Sequence, residues 1–250
     1  MTTLIDALEA REGIVCAVGA GGKKSVLYQL AREHRGRFAL TATVHTTVFP
    51  DELGLQSIID DDARLRQRVR AADASLCVAY ACPSSKPGRH AGATPETIRA
   101  IHDEGCFDAT FVKADGARMR WLKAPSPDEP IVVPGADLVI PVVSARALGE
   151  PLGERVAHRV ERVAAVTGVA PGERVTPEAV GRLLASERGA LYRTAGGRVA
   201  PVINMVDNVG KEELARAAAT AAIAMTSRFD RVVLCCLRRP KRPVVAVVTR

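Results

Sequence analysis

The segment Gly19-Ala20-Gly21-Gly22-Lys23-Lys24-Ser25 follows directly on the apolar run Ile14-Val15-Cys16-Ala17-Val18. Glycines at such a place let the backbone come close to an anion. Successive amide N–H groups and the first turn of a helix then point at it, and a lysine adds a mobile positive charge. The chemistry this predicts is phosphate binding, with Lys23 on the phosphates. The consensus G-x-x-x-x-G-K-[ST] is not met. Aligning Gly22-Lys23 with its G-K puts Ala17 at the first glycine and Lys24 at the hydroxyl that holds Mg²⁺. Sliding by one makes Lys24-Ser25 the K-S pair but puts Lys23 at a glycine. Two adjacent lysines at a helix start oppose the helix dipole, a cost that an anion there would remove.

Three further groups have chemistry-bearing types. In Lys113-Ala114-Asp115-Gly116-Ala117-Arg118 an aspartate closes an apolar stretch, the position from which it can hold Mg²⁺ directly or through water. Asp-Gly is equally a common turn. Pro201-Val202-Ile203-Asn204-Met205-Val206-Asp207 ends in N-x-x-D, close to the guanine-reading N-K-x-D but with Met205 in place of the lysine. A loop capped by Asn204 and Asp207 would read the same way. Thr41-Ala42-Thr43-Val44-His45-Thr46-Thr47 puts hydroxyls and an imidazole at the end of another apolar stretch, where His45 is either a ligand contact or a structural hydrogen-bonder.

The elements that must position these groups follow from periodicity. Strands are expected at Ile14–Val18, Phe38–Val44, Ser75–Tyr80, Asp108–Lys113, Leu138–Val143, Val199–Asn204, Val232–Leu237 and Val244–Val248. Helices are expected at Ser25–Glu33, Ala63–Ala72, after Thr94-Pro95-Glu96 with Thr94 as N-cap, and at Lys211–Ser227. A helical pattern runs from about Leu148 to Gly189, with a start signal at Thr176-Pro177-Glu178. Alternating strands and helices predict an α/β fold, doubly wound, with a mostly parallel sheet, a P-loop-like first strand-loop-helix and a helical insertion. One domain over residues 1–250, with a helical subdomain at about 148–190, is the expected organisation. The candidate groups then share the carboxyl edge of the sheet, where open α/β sheets bind ligands.

Bulk composition narrows the partners. The chain has 250 residues, 47% of them hydrophobic, enough for a real core, and a net charge of +7. Arginine outnumbers lysine 28 to 7, and the basic residues are dispersed except at Arg238-Arg239-Pro240-Lys241-Arg242, so nucleic acid is an unlikely partner. Four of the seven lysines, Lys23, Lys24, Lys113 and Lys123, fall in the two chemistry-bearing segments. No signal peptide or apolar run of membrane-spanning length is evident, so a cytoplasmic protein with no membrane partner is expected. The six cysteines are not a disulfide framework at this length, and Cys77, Cys82 and His90 match no standard zinc spacing. Cys82 is the one candidate for a reactive thiol.

Taken in order, Val18-Gly19-Ala20-Gly21-Gly22-Lys23, Lys113-Ala114-Asp115-Gly116-Ala117-Arg118 with Leu122-Lys123-Ala124-Pro125, Glu129-Pro130-Ile131-Val132, Ala136–Val143, Ala147–Leu152 and Asn204–Asp207 resemble the selenium-dependent hydroxylase accessory proteins, the YqeC-like family. The likeness covers nearly the whole chain. It implies a P-loop-like protein that helps mature molybdenum-containing hydroxylases, acting on the cofactor or on its sulfur or selenium ligand. Family motifs usually read G-A-G-G-K-[ST] and N-K-x-D, and this chain departs from them at Lys24 and Met205.

The expectation is therefore a nucleotide-binding accessory protein that transfers a phosphoryl or nucleotidyl group. It would use a nucleoside triphosphate, ATP or GTP, with Mg²⁺, and the molybdenum cofactor as a second ligand. Its protein partner would be the molybdenum hydroxylase apo-enzyme or another maturation protein. The alternative is a non-hydrolysing molybdenum-cofactor carrier. The expected catalytic residues are Lys23 and Asp115, and the expected metal ligands Ser25 and Asp115. Binding is expected from Gly19, Ala20, Gly21, Gly22, Lys23, Lys24, Ser25, His45, Lys113, Asp115, Gly116, Arg118, Lys123, Asn204 and Asp207.

Overall fold

Ten strands form one sheet in the computed structural model, which describes residues 2–194 and 196–250. They are β1 (Gly13–Gly19), β2 (Phe38–Ala42), β3 (Gln56–Ile59), β4 (Val78–Ala81), β5 (Ala109–Lys113), β6 (Leu138–Ser144), β7 (Arg198–Val199), β8 (Val202–Asn204), β9 (Arg231–Cys235) and β10 (Val244–Thr249). The spatial order is β10-β9-β8-β6-β1-β5-β2-β4-β3, with β7 paired to β6. All pairings are parallel except β9 with β10. Chain order and spatial order diverge at β1, which is flanked by β5 and β6, so the loop after β1 opens at the point where ligands lie in such sheets.

Alternate residues of β1 enter different cores. Val15 and Ala17 pack with Leu27 and Leu30 of helix α2 (Lys23–Glu33) and with Leu4 and Leu8 of α1 (Leu4–Leu8). Ile14, Cys16 and Val18 face Leu65 and Val69 of α3 (Asp62–Arg70) and Ile98 and Ile101 of α4 (Pro95–Glu104). A strand covered on both faces has to be apolar throughout, as β1 is. The fold is a doubly wound α/β fold.

The remaining helices are α5 (Val160–Thr167), α6 (Pro177–Ala185) and α7 (Val209–Met225). Thr94 and Thr176 accept from the amides of Thr97 and Ala179, each with a proline at the first helical position. Alanines 215, 218, 219 and 222 of α7 share a core with Leu183 and Leu184 of α6 and with Ile203 and Leu234 of the sheet. Gly181 makes the α6–α7 approach close: a Cβ there would lie 2.8 Å from Ala221 Cβ. The helical pattern read from Leu148 is narrower in the structure. Gly149, Pro151 and Gly153 hold residues 148–156 out of a helix, and Gly168, at φ 73, ends α5. Strand β3 has no counterpart among the expected strands, because its four residues Gln56-Ser57-Ile58-Ile59 do not alternate in polarity.

Register places the chemistry at one edge. Gly19 is beside Val142, Asn204 beside Ser144, and Ala42 beside Lys113, so the four strand ends β1, β6, β8 and β5 come out together with β2 at their flank.

Candidate functional site

The glycine loop is built for close approach. Gly19, Gly21 and Gly22 have φ of 90°, 84° and 116°, a region that disfavours side chains. A Cβ on Gly21 would meet Ser144 N at 2.5 Å, and one on Gly22 would meet Asn204 Nδ2 at 2.4 Å. Ala20 N–H donates to Val142 O and Gly21 N–H to Arg120 O, which fixes the loop to β6 and to the segment after Asp115. The first helical bond of α2 runs from Val26 N–H to Gly22 O, so the amides of Lys23, Lys24 and Ser25 precede it and belong to the open end of the helix.

Lys23 turns inward. Its ammonium donates to Gly19 O and lies 2.9 Å from Asp115 Oδ1. That approach is off the hydrogen-bonding direction, so charge rather than a well-formed bond holds Oδ1. Asp115 Oδ2 accepts from Gly19 N–H at 3.0 Å and from Lys123 Nζ at 2.7 Å. Lys123 Nζ also donates to Gly116 O and, at 2.7 Å, to Glu129 Oε2, which in turn accepts from Arg159 Nη2 at 3.1 Å. The result is a chain of alternating charge, Lys23–Asp115–Lys123–Glu129–Arg159. Its first three side chains are buried. Burial would raise the Glu129 carboxyl, but Lys123 and Arg159 overcome it and hold it at about 2.

Three ammonium groups gather around the loop. Lys113, half-buried at the end of β5, donates to His45 O at 2.6 Å, and Lys24 to Thr47 Oγ1 at 2.9 Å. Desolvation and then the charges of Lys23 and, more weakly, Lys24 bring Lys113 down to about 8. Desolvation lowers Lys23 and Lys24 as well. His45 is exposed, and partial desolvation with Lys86, Arg89 and Lys113 keeps it below its ordinary value. Ser25 is exposed on the first turn of α2. The two expected magnesium ligands thus stand in different surroundings: an open hydroxyl, and a buried carboxylate already matched by two ammoniums.

Asn204 supports the loop: its Nδ2 donates to Gly21 O at 2.9 Å, leaving Oδ1 buried without a donor. Asp207 accepts from Arg146 Nε at 3.1 Å and Nη2 at 2.7 Å. Burial would raise its carboxyl, yet the Arg146 bonds bring it below its ordinary value. Arg118 is exposed and lines a separate cleft, which Arg159 at the end of the charge chain also lines.

The family model described as YqeC protein matches residues 15–161, more than half of the chain. The chain belongs to the YqeC family. Within that span lie the glycine loop and the whole charge chain from Lys23 to Arg159, whereas Asn204 and Asp207 fall outside it. The Uncharacterized protein YqeC of Escherichia coli (strain K12) is 30% identical over 165 residues, 65% of this chain and 64% of that protein. The match therefore spans less than two thirds of the relative's length.

Glu129, Arg146 and Arg159 of this YqeC-family chain were not among the expected site residues. Glu129 opens the segment Glu129-Pro130-Ile131-Val132, but nothing in its spacing shows a partner six residues before it and another thirty after it. Among the described residues no group of three or more His, Cys, Asp or Glu is arranged for a metal ion, and all six cysteines are free. Cys82 is half-buried, and burial with Asp62 and Asp61 raises its thiol to about 11, which removes the signature of a reactive cysteine. No helix among the described residues is long and apolar enough to cross a membrane.

Proposed function

We propose that this chain is a nucleotide-binding accessory protein that takes phosphate groups at the glycine loop, in the service of molybdenum hydroxylase maturation. The observation that carries this reading is the open N-terminus of α2 with Lys23 and Lys24 on its first turn and with Lys113, which both of them repel, at the end of β5. Amides at a helix start and three ammonium groups with depressed proton affinity gain most when an anion enters.

In the free protein Lys23 is committed to Gly19 O and Asp115. A phosphate competes for that ammonium, and whatever part of Lys23 it draws away leaves Asp115 Oδ1 without its counter-charge. Magnesium fits only after this exchange: Ser25 and the released Asp115 would then hold it, and it would neutralise phosphate charge. Lys123 holds Oδ2, which would keep Asp115 anchored if Oδ1 changed partner.

A second reading, a carrier of the molybdenum cofactor that does not hydrolyse nucleotide, is favoured by the two ammoniums already on Asp115 and by Lys24 in place of a hydroxyl. A guanine base would have to compete with existing contacts, because Asn204 Nδ2 is held by Gly21 and Asp207 Oδ2 by Arg146. The maturation role rests on the resemblance of the motifs to the selenium-dependent hydroxylase accessory proteins.

Calorimetric binding of ATP, GTP and CTP, with and without Mg²⁺, to the wild type and to Lys23→Ala tests the reading. Magnesium-dependent binding of one nucleotide, lost in the variant, supports it. Absence of binding by all three overturns it in favour of the carrier, with purified molybdenum cofactor as the ligand to try.

A further inference from the structure

Beyond the charge chain lies a cleft of about 700 Å³, lined among others by Arg118, Arg120, His158, Arg159, Glu154 and Glu161. The two glutamates and Arg118 are exposed, so water screens all three, while Arg120, His158 and Arg159 are half-buried. Arg159 spends Nη2 on Glu129, and its Nη1 is buried with no acceptor among the described residues. A buried guanidinium nitrogen without an acceptor costs free energy that a ligand oxygen would return. Arg159 also holds φ 65 as the residue before α5, and Arg118 and Met119 hold φ 46 and 60. Two side-chain-bearing residues in the left-handed region, Arg118 and Arg159, border the cleft, a kind of strain that collects at ligand sites. The first helical bonds of α5 run to Arg159 O, which leaves the amides of Val160 and Glu161 at an open helix end.

We propose that this cleft is a second anion site, separate from the glycine loop, that takes the phosphate of a small phosphorylated molecule through Arg118, Arg120 and Arg159. Guanidinium groups match phosphate oxygens in pairs, and the volume is that of a small-molecule site rather than of a polymer groove. His158 serves as a neutral hydrogen-bonding wall: burial, Arg159, Lys123 and Arg118 keep it uncharged down to about pH 4. The inference does not rest on the nucleotide reading, since the two sites are probed by different variants.

Backbone amide NMR of the full chain, titrated with inorganic pyrophosphate, tests it. The expected result is saturable shifts at residues 158–161, with a midpoint raised about tenfold in Arg118→Ala/Arg120→Ala, as for loss of charge-assisted bonds. Lys24→Ala, outside the charge chain, should leave that midpoint unchanged while weakening shifts at residues 22–25. The proposal is overturned if residues 158–161 do not shift, if they shift equally in the double variant, or if Lys24→Ala abolishes their shifts.

Discussion

Lys23 Nζ and Asp115 Oδ1 lie 2.9 Å apart with side chains 5% and 3% exposed, so the lysine expected on the ligand is held inside the protein by a carboxylate. Lys123 grips the other oxygen of the same group. One carboxylate between two buried ammoniums makes Asp115 the hub of the site.

Asp115→Ala should therefore lower stability by about 3–5 kcal/mol, because it strands two buried positive charges. Urea unfolding measures it. Lys23→Met should cost less, since Lys123 still balances Asp115, and equal losses in the two variants would deny the hub role.

Gly22→Ala should cost about 1–3 kcal/mol from φ 116 alone, with the contact to Asn204 added. Combining it with Asn204→Ala removes that contact, so the double variant should lose less than the sum of the singles. Simple additivity would show that Asn204 does not constrain the loop.

Anion binding at the loop should weaken as pH rises from 7 to 9, because Lys113 loses its charge near 8. The sign for stability is the reverse. The folded chain binds fewer protons at Lys113 than the unfolded chain between about pH 8 and the ordinary lysine value, so this group makes folding more favourable as pH rises through that window. Titration calorimetry in buffers of different ionisation enthalpy should show proton uptake on binding above pH 8, and clearly less in Lys113→Met.

Glu129 is held at about 2, so its contribution to stability is complete above the ordinary glutamate range and is lost as pH falls toward 2. Acid unfolding of Glu129→Gln should lack that component. A curve of unchanged shape would place the stabilising charge elsewhere.

Periodicity and local signals determined much on their own. Apolar runs located β1, β5 and β6, Thr94-Pro95 and Thr176-Pro177 opened α4 and α6, and the glycines marked the turn from β1 into α2. These are properties of neighbours in the chain, set by backbone preferences and by burial of one face or two. The short edge strand β3 and the interruption of 148–159 were less legible, because sheet pairing and glycine breaks decided them. What only the tertiary structure decided is which charge meets which. Asn204 and Gly21 are 183 residues apart and meet because β8 pairs with β6 and β6 with β1. Lys23 meets Asp115 because β1 and β5 are neighbours in the sheet. A lysine after a glycine loop carries the same local pattern whether it faces a ligand or a carboxylate, and strand order and register, which place distant ends together, settle the partner.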